Sequence, residues 1–450
     1  MHLPICRDRV PFACLVALAT VLLAVDAEAQ YFGRNKVQYE KFDFHVMDTE
    51  HYDIHFYPAE SLATKDAARM AERWYTRLSN TLQHEYAGKP LIFYADHADF
   101  QQTNVIGGFI EQGTGGITEA LRTRVVMPFT GVYADFDHVL GHELVHTFQY
   151  DIAYQRQAGG LRGLSELPLW VVEGMAEYLS VGREDPHTAM WLRDAVRRND
   201  LPRIEQIGRD ARYFPYRYGQ AVWAYIAGRF GDAAVPQLFR DAIRRGFQPA
   251  IARTLGMTMD TLSARWHTAV REAYLPALQG RTSPDSIGRR VLERAGSEGE
   301  LDISPALSPD GRHVAFFSGR ALFTIDLYVA DANTGDIVRR LSSPNVDPHF
   351  DALSFLSSTG TWSPDGRRLA FVVFSEGDQE LAIFDLDRRE LERRIKIRGV
   401  DALSDPSWGP NDQIAFSGMQ GGISDLYVLD LASEQVVRLT NDRHADLQPA

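Results

Sequence analysis

The sequence predicts an α+β domain followed by an array of short all-β units. Three observations carry this. Residues 32–279 mix strand-like alternation with apolar patterns of helical spacing. From residue 301 the helical spacing stops, and short strands recur between turns rich in Gly, Pro and Asp. A turn sequence also repeats: Leu307-Ser308-Pro309-Asp310-Gly311-Arg312 is echoed by Trp362-Ser363-Pro364-Asp365-Gly366-Arg367, and more loosely by Trp408-Gly409-Pro410-Asn411-Asp412.

Residues 1–29 read as a secretory signal peptide. Arg7 and Arg9 precede an apolar run over 11–25, and Ala27-Glu28-Ala29 supplies a small-residue cleavage signal before Gln30. The other reading is an uncleaved anchor, but the run is short for a membrane span, so no stable membrane anchor is expected after cleavage. Cys6 and Cys14 are the only cysteines, and both fall in this segment. A mature chain would have no disulfide, and any metal site in it must use histidine and carboxylate. The formal net charge of −13 argues against nucleic acid or an anionic membrane as partner. It suits an exported protein, periplasmic or secreted.

Residues 30–279 form the first domain. Strands are expected over 42–46 and 52–56, a helix over 61–86 and a strand over 91–94. His45, His51 and His55 fall in the first stretch, where strand alternation accounts for His55 without a metal. Gly115-Gly116-Ile117-Thr118-Glu119-Ala120 and residues 124–129 follow as a glycine-rich strand pair. Helices are expected after Pro186 and over 217–230, 233–245 and 259–278.

The chemistry concentrates in His142-Glu143-Leu144-Val145-His146. Val139, Leu140, Leu144, Val145 and Phe148 recur at helical spacing, with Asp135 or Asp137 as cap. Positions i and i+4 share a helix face, so both imidazoles can reach one ion while Glu143 holds a water. The plainer reading is a buried helix whose histidines are satisfied by hydrogen bonds. A site with two histidines needs a third ligand and one open position. Residues 169–178, entered through Ser165 and Pro168, place Glu173 and Glu177 one turn apart on an apolar segment. Two carboxylates facing a core are costly unless a positive charge compensates them. Glu173 is the expected third ligand of one Zn2+ per chain, and Glu177 the acceptor for a ligand imidazole N–H. The alternative is two solvated glutamates.

This pattern, H-E-x-x-H and then Trp170-x-x-Glu173-Gly174-x-Ala176-Glu177-Tyr178, resembles the gluzincin metallopeptidases, and within them the aminopeptidase-like branch. The resemblance implies a zincin-like fold with the cleft between its sheet-bearing and helical halves, and Glu173 as zinc ligand. It also implies an oxyanion donor from a P-Y-x-x-G turn. Pro215-Tyr216-Arg217-Tyr218-Gly219 matches, which points to Tyr216, with Tyr218 second; an aromatic turn packed under a helix is the other reading. Arg217 is either a clamp for a substrate carboxylate or a solvated arginine. Substrate would add to an edge strand near residues 115–120, where Glu119 would meet a substrate amine unless the hairpin has no substrate role. Residues 147–172 make a longer connection than is usual in that branch, and a loop insertion is expected over 154–164. In the implied mechanism zinc lowers the pKa of its water, Glu143 is the general base, and zinc and Tyr216 stabilise the oxyanion of a cleaved peptide.

Residues 280–300 read as a linker and 301–450 as repeats similar to TolB-type β-propeller blades, about three and incomplete. The fold class is therefore an α+β zincin-like metallopeptidase domain followed by a partial all-β propeller. Too few blades to close a ring, and an ending that resembles the lead-in to another repeat, make a piece of a longer protein the expectation. Two function classes follow. One is an exported zinc metallopeptidase acting on peptide or protein, with a protein partner possible on the propeller. The other is a non-catalytic binding protein using the propeller, with the first domain as a metal-stabilised scaffold. Hydrolysis of a non-peptide bond at the same zinc shares the chemistry of the first.

Overall fold

Alternating burial along Tyr52–Phe56 marks a strand with one face in a core. It belongs to a five-stranded sheet in the computed structural model, which describes residues 36–155, 160–283, 286–292, 301–320, 325–342, 352–354 and 360–450. The proposed signal peptide and parts of the 280–300 linker lie outside the described residues. The strands are β1 (His45–Asp48), β2 (Tyr52–Phe56), β3 (Lys89–Tyr94), β4 (Ile117–Glu119) and β5 (Arg124–Pro128). Their order is β1-β2-β3-β5-β4, with β2, β3 and β5 parallel and the two outer strands antiparallel to their neighbours. The first strand begins later than alternation suggested. Phe42 and Phe44 leave the ladder to pack on Tyr57 and Tyr94, with Phe42 stacked on Tyr57 at 5.4 Å.

Helix α1 (Ser61–Leu82) crosses between β2 and β3. It ends before the expected Tyr86 because Gln83 turns left-handed, at φ 48°. The short α2 (His97–Gln101) is capped by Asp96, which accepts from Asp99 N at 2.8 Å. The second half is helical: α3 (Tyr133–Gln155), α4 (Gly160–Ser165), α5 (Leu169–Val181), α6 (Pro186–Arg198), α7 (Pro215–Phe230), α8 (Ala234–Arg245), α9 (Phe247–Leu255) and α10 (Met259–Leu278). The expected loop over 154–164 is instead the end of α3 followed by α4, with only 156–159 not described. Neither proposed cap serves α3. Asp135 lies inside its first turn, and Asp137 accepts from the Trp74 indole at 2.9 Å. Helix α9 went unforeseen; left-handed Gly246 and Gly256 set it off from its neighbours.

Glycines permit two close crossings. A methyl group at Gly141 of α3 would lie 2.6 Å from the Trp74 ring of α1. At the α5–α7 crossing, a methyl group on Gly174 would lie 2.5 Å from the Gly219 Cα, and one on Gly219 would lie 2.6 Å from the Trp170 carbonyl oxygen. Side chains larger than hydrogen would push these helices apart.

Three antiparallel sheets follow, of four, five and four strands, in the arrangement of a partial propeller. They are β6 (Asp302–Leu307), β7 (His313–Ser318), β8 (Asp326–Asp331) and β9 (Ile337–Ser342); then β10 (Ala352–Leu353), β12 (Arg368–Ser375), β13 (Asp378–Asp385) and β14 (Glu390–Lys396), with β11 (Thr361–Trp362) also on β12; then β15 (Ala402–Trp408), β16 (Gln413–Gln420), β17 (Ile423–Asp430) and β18 (Val436–Arg438). The repeated turn has a physical reason. Ser308 Oγ donates to Asp310 at 2.6 Å and accepts from His313 N at 2.9 Å, and Ser363 does the same with Asp365 and Arg368 at 2.5 and 2.9 Å. Gly311 and Gly366 supply φ 71°. In the third copy Asn411 and Asp412 adopt the left-handed conformation instead, and the serine bonds are gone because Gly409 replaces the serine.

The propeller sits on the first domain. Ser424 N donates to the Gly131 carbonyl at 3.0 Å, and Gly422 of the β16–β17 turn lies against Ala63 and Phe129. Buried carboxyls meet at this junction. Glu60 is 2 % exposed, and burial and then Asp401 raise it to about 7. Asp99 is likewise raised to about 7, by burial and then by Glu40, Asp378 and Asp401.

Two predictions follow from these contacts. Gly174→Ala lowers stability by roughly 1–3 kcal/mol in denaturant titration, whereas Gly228→Ala in α7, which has open space around it, raises it by about 0.5–1 kcal/mol. The unfolded chain releases the Glu60 and Asp99 protons at lower pH than the folded one. Their effect is therefore absent below about pH 4, and stability falls as pH rises from there to about 7. Glu60→Gln flattens that slope and raises the melting temperature at pH 8 by roughly a few degrees; an unchanged slope refutes the assignment.

Candidate metal centre

Helix α3 carries His142 and His146 one turn apart, and α5 brings Glu173 across from them. The two Nε2 atoms are 3.1 Å apart, and Glu173 Oε2 is 3.2 Å from each. The two histidines are buried and Glu173 is nearly so. A tetrahedral zinc with bonds of about 2.0–2.1 Å needs donors roughly 3.3 Å apart. The triangle comes within a small relaxation of that, and two imidazoles with one carboxylate is a donor set zinc accepts. Its charge also invites a cation. Burial works against charge on His142, but Glu173, Glu177 and Glu143 outweigh it and raise its pKa to about 10. Burial would raise Glu173, yet His146 and His142 hold its carboxyl well below the ordinary range.

Glu143 faces the edge of the sheet. The Thr118 hydroxyl of β4 lies 2.6 Å from Glu143 Oε2 and donates to it. Gly116 lets the two approach, since a methyl group there would lie 2.8 Å from Glu143 Cγ. Among the described residues the outer edge of β4 has no strand partner. Glu119 is committed to Arg124 at 2.5 Å, which leaves it poorly placed to receive a substrate amine.

Glu177 sits behind the triangle. Its oxygens lie 3.2 Å from His142 Nδ1, 3.4 Å from His138 Nε2 and 3.2 Å from Arg217 Nη1. Burial opposes its charge, but His138 and His142 outweigh it and keep the carboxyl well below the usual range. Glu173 and Glu177 are therefore not solvated. Arg217 also reaches Asp185 at 3.2 Å, so it is neither a free clamp nor a solvated side chain. Tyr216 stacks its ring on His142 at 5.8 Å, and its phenol is raised by burial and by interaction with Glu173. Tyr218 points elsewhere, buried edge-on against Tyr213 and Trp191.

Sequence reasoning missed four participants. Gln149 is fully buried; its Oε1 accepts from His146 Nδ1 at 2.8 Å, and its Nε2 donates to the Val172 carbonyl at 3.0 Å. Its signal was a polar residue on the ligand face of an apolar helix. His138 could have been found one turn before His142. Thr118 gives no local signal. Tyr150, one turn after His146, stacks on it and has its phenol raised to about 12 by burial and then by Glu173 and Glu143. With Leu161, Leu164, Leu167, Val172 and Glu173 it lines a cavity of about 490 Å³. A separate surface group, Glu50, His51 and Glu72, also brings possible ligands together, with His51 Nδ1 2.6 Å from Glu72.

Glu173→Gln should remove the third donor of the set, its one carboxylate. Metal analysis after zinc dialysis is expected to fall from about one ion per chain to nearly none, with the circular dichroism spectrum kept. Full zinc retention would refute the ligand assignment.

No family model matches the chain. Among curated proteins it is similar to the Tol-Pal system protein TolB of Ruthia magnifica subsp. Calyptogena magnifica, 25% identical over 126 residues, 28% of this chain and 26% of that protein. It is also similar to the protein TolB homolog of Chlorobium luteolum (strain DSM 273 / BCRC 81028 / 2530), 27% identical over 31% of this chain and 29% of the relative. The matches thus span little more than a quarter of these relatives' length. Among solved structures, TolB from Acinetobacter baumannii matches at 20% identity and a TM-score of 0.30, over 42% of this chain and 50% of that one. The chain carries TolB-like β-propeller homology.

Proposed function

We propose that the chain is an exported zinc-dependent metallopeptidase with an appended propeller. The observation that carries this is the buried His142–His146–Glu173 triangle with Glu143 and Tyr216 set around it. Zinc, when bound there, supplies Lewis acidity, lowering the pKa of a water to about 7 and polarising a carbonyl. Glu177 and Gln149 hold the two ligand imidazoles by their Nδ1 atoms. The free edge of β4 orients an extended peptide by main-chain hydrogen bonds. The cavity beside Tyr150 and Glu173 accommodates an apolar side chain. Glu143, aimed by Thr118, accepts a proton as water attacks the scissile carbonyl and delivers it to the leaving amine. The Tyr216 hydroxyl donates to the oxygen that gains negative charge.

A second reading has its own support. The curated relatives are TolB proteins, one of them named for the Tol-Pal system, and they favour an exported protein that binds a protein partner through its propeller. On that reading the first domain is a metal-stabilised scaffold. The relatives bear on the propeller and the site geometry bears on the catalytic domain, so the two readings diverge only over turnover. Among the described residues no helix is long and apolar enough to cross a membrane.

Zinc content and peptide hydrolysis, measured together, separate them. Glu143→Gln is expected to keep zinc and lose roughly 10²–10⁴-fold in rate. Tyr216→Phe should lower kcat by about 10²-fold with KM little changed. Zinc-loaded wild type that turns over no member of a broad peptide library would favour the scaffold.

A further inference from the structure

The propeller does not merely abut the first domain; the two line a shared, open cavity of mixed polar and apolar character. A cavity of about 560 Å³ is lined by the loop before β4 (Gln112, Thr114, Gly115) and by the first strands of two propeller sheets, β6 and β15 (Ser304, Ser404, Asp405). Gly115 is the residue before Gly116, which touches the Glu143 side chain. A chain paired along β4 and running off its Gly115–Gly116 end therefore enters this space.

The propeller wall is specially shaped. Strands β6 and β15 each carry a bulge at the same repeat position, between Ile303 and Ala306 and between Ser404 and Ser407. At these bulges Ser304 and Asp405, each just before a proline, adopt φ of 53° and 49°. Non-glycine residues held there are strained, and such strain collects at ligand sites. No lysine or arginine lines the cavity among the described residues, while Asp405 and Asp135 do. Its one imidazole, His97, is pushed down by burial and stays neutral near pH 7. Burial raises the Asp405 carboxyl, so a cation placed beside it relieves a desolvated charge.

Resting on the peptidase reading, we propose that this cavity binds the part of an extended peptide substrate lying beyond β4, and that it selects segments bearing lysine or arginine over acidic ones. The propeller then contributes to substrate choice through Asp405 at its strained bulge.

The test uses the full zinc-loaded chain carrying Glu143→Gln, so that peptides bind without being cut. Fluorescence anisotropy compares dodecapeptides with three lysines at one end, N-terminal or C-terminal, against the same peptides with glutamates there. One lysine set should bind roughly fivefold or more tighter than its glutamate counterpart. The end preferred reports which way the peptide runs. Adding Asp405→Lys should reverse the order, with the glutamate peptide gaining affinity, a gain that misfolding would not produce. Equal affinity for lysine and glutamate peptides, or a lysine preference that survives Asp405→Lys, overturns the proposal. If short peptides are still hydrolysed by the wild type, only this inference fails; if zinc-loaded wild type cleaves none, the peptidase reading fails with it.

Discussion

The site depends on two helices passing closer than side chains allow. Gly174 of α5 and Gly219 of α7 meet backbone to backbone. Glu173 precedes the first glycine and Tyr216 lies one turn before the second, so the crossing sets the distance between the carboxylate and the phenol. It also explains the glycines in E-G-x-A-E-Y and P-Y-x-x-G: they are packing requirements that happen to border chemistry. Trp170 fills the core beside the crossing, fully buried, and its carbonyl is the atom a Gly219 side chain would strike. On the other side, Gly141 seats α3 on Trp74 and fixes the face on which His142 and His146 project.

Three glutamates then share one apolar floor, which would be untenable without compensation. The compensation is divided. Glu177 is held from behind by His138 and Arg217 and so can stay charged while serving His142. Glu173 faces the two Nε2 atoms, each 3.2 Å from its Oε2. Glu143 turns the other way, to the Thr118 hydroxyl. On the proposed peptidase reading, three identical side chains take three roles through their neighbours: supporting carboxylate, metal ligand and base. His146 receives a neutral acceptor, Gln149, where His142 receives an anionic one, so the two imidazoles differ in basicity although their sequence context is symmetrical.

Much of this was legible in the sequence, and the limits are physical. The donor set could be read because i, i+4 spacing on a helix places side chains without knowledge of the rest of the fold. The repeat turns could be read because Ser, Asp and Gly each do a local job there. Whatever depended on partners distant in the chain was not legible. Arg217 looked free until α5 and Asp185 were brought to it; Tyr218 stood as second candidate to Tyr216 until the helix phase turned it toward Trp191. The span over 154–164 suggested a loop because its glycines signal turns, yet Gly160 and Gly163 belong to a short helix; at Gly163 a methyl group would lie 2.2 Å from the Ile243 carbonyl oxygen. That glycine answers to packing, a requirement no local pattern reveals.

The state of β4 bears most directly on whether the centre is catalytic. An unpaired sheet edge invites unwanted pairing, and proteins usually cover it or charge it. Here the described edge stays open on the very side where Thr118 and Gly116 meet Glu143. A metal site kept only for stability needs its three ligands and their supports; it has no use for a base held against an open strand or for a phenol stacked beside the ligands. Among the described residues no propeller strand pairs with β4, and the propeller lines a cavity near its Gly115 end. On the proposed peptidase reading, an open edge, a base held by Thr118 and the cavity beyond them lie along one path, and an extended peptide is the ligand whose geometry would use all of it.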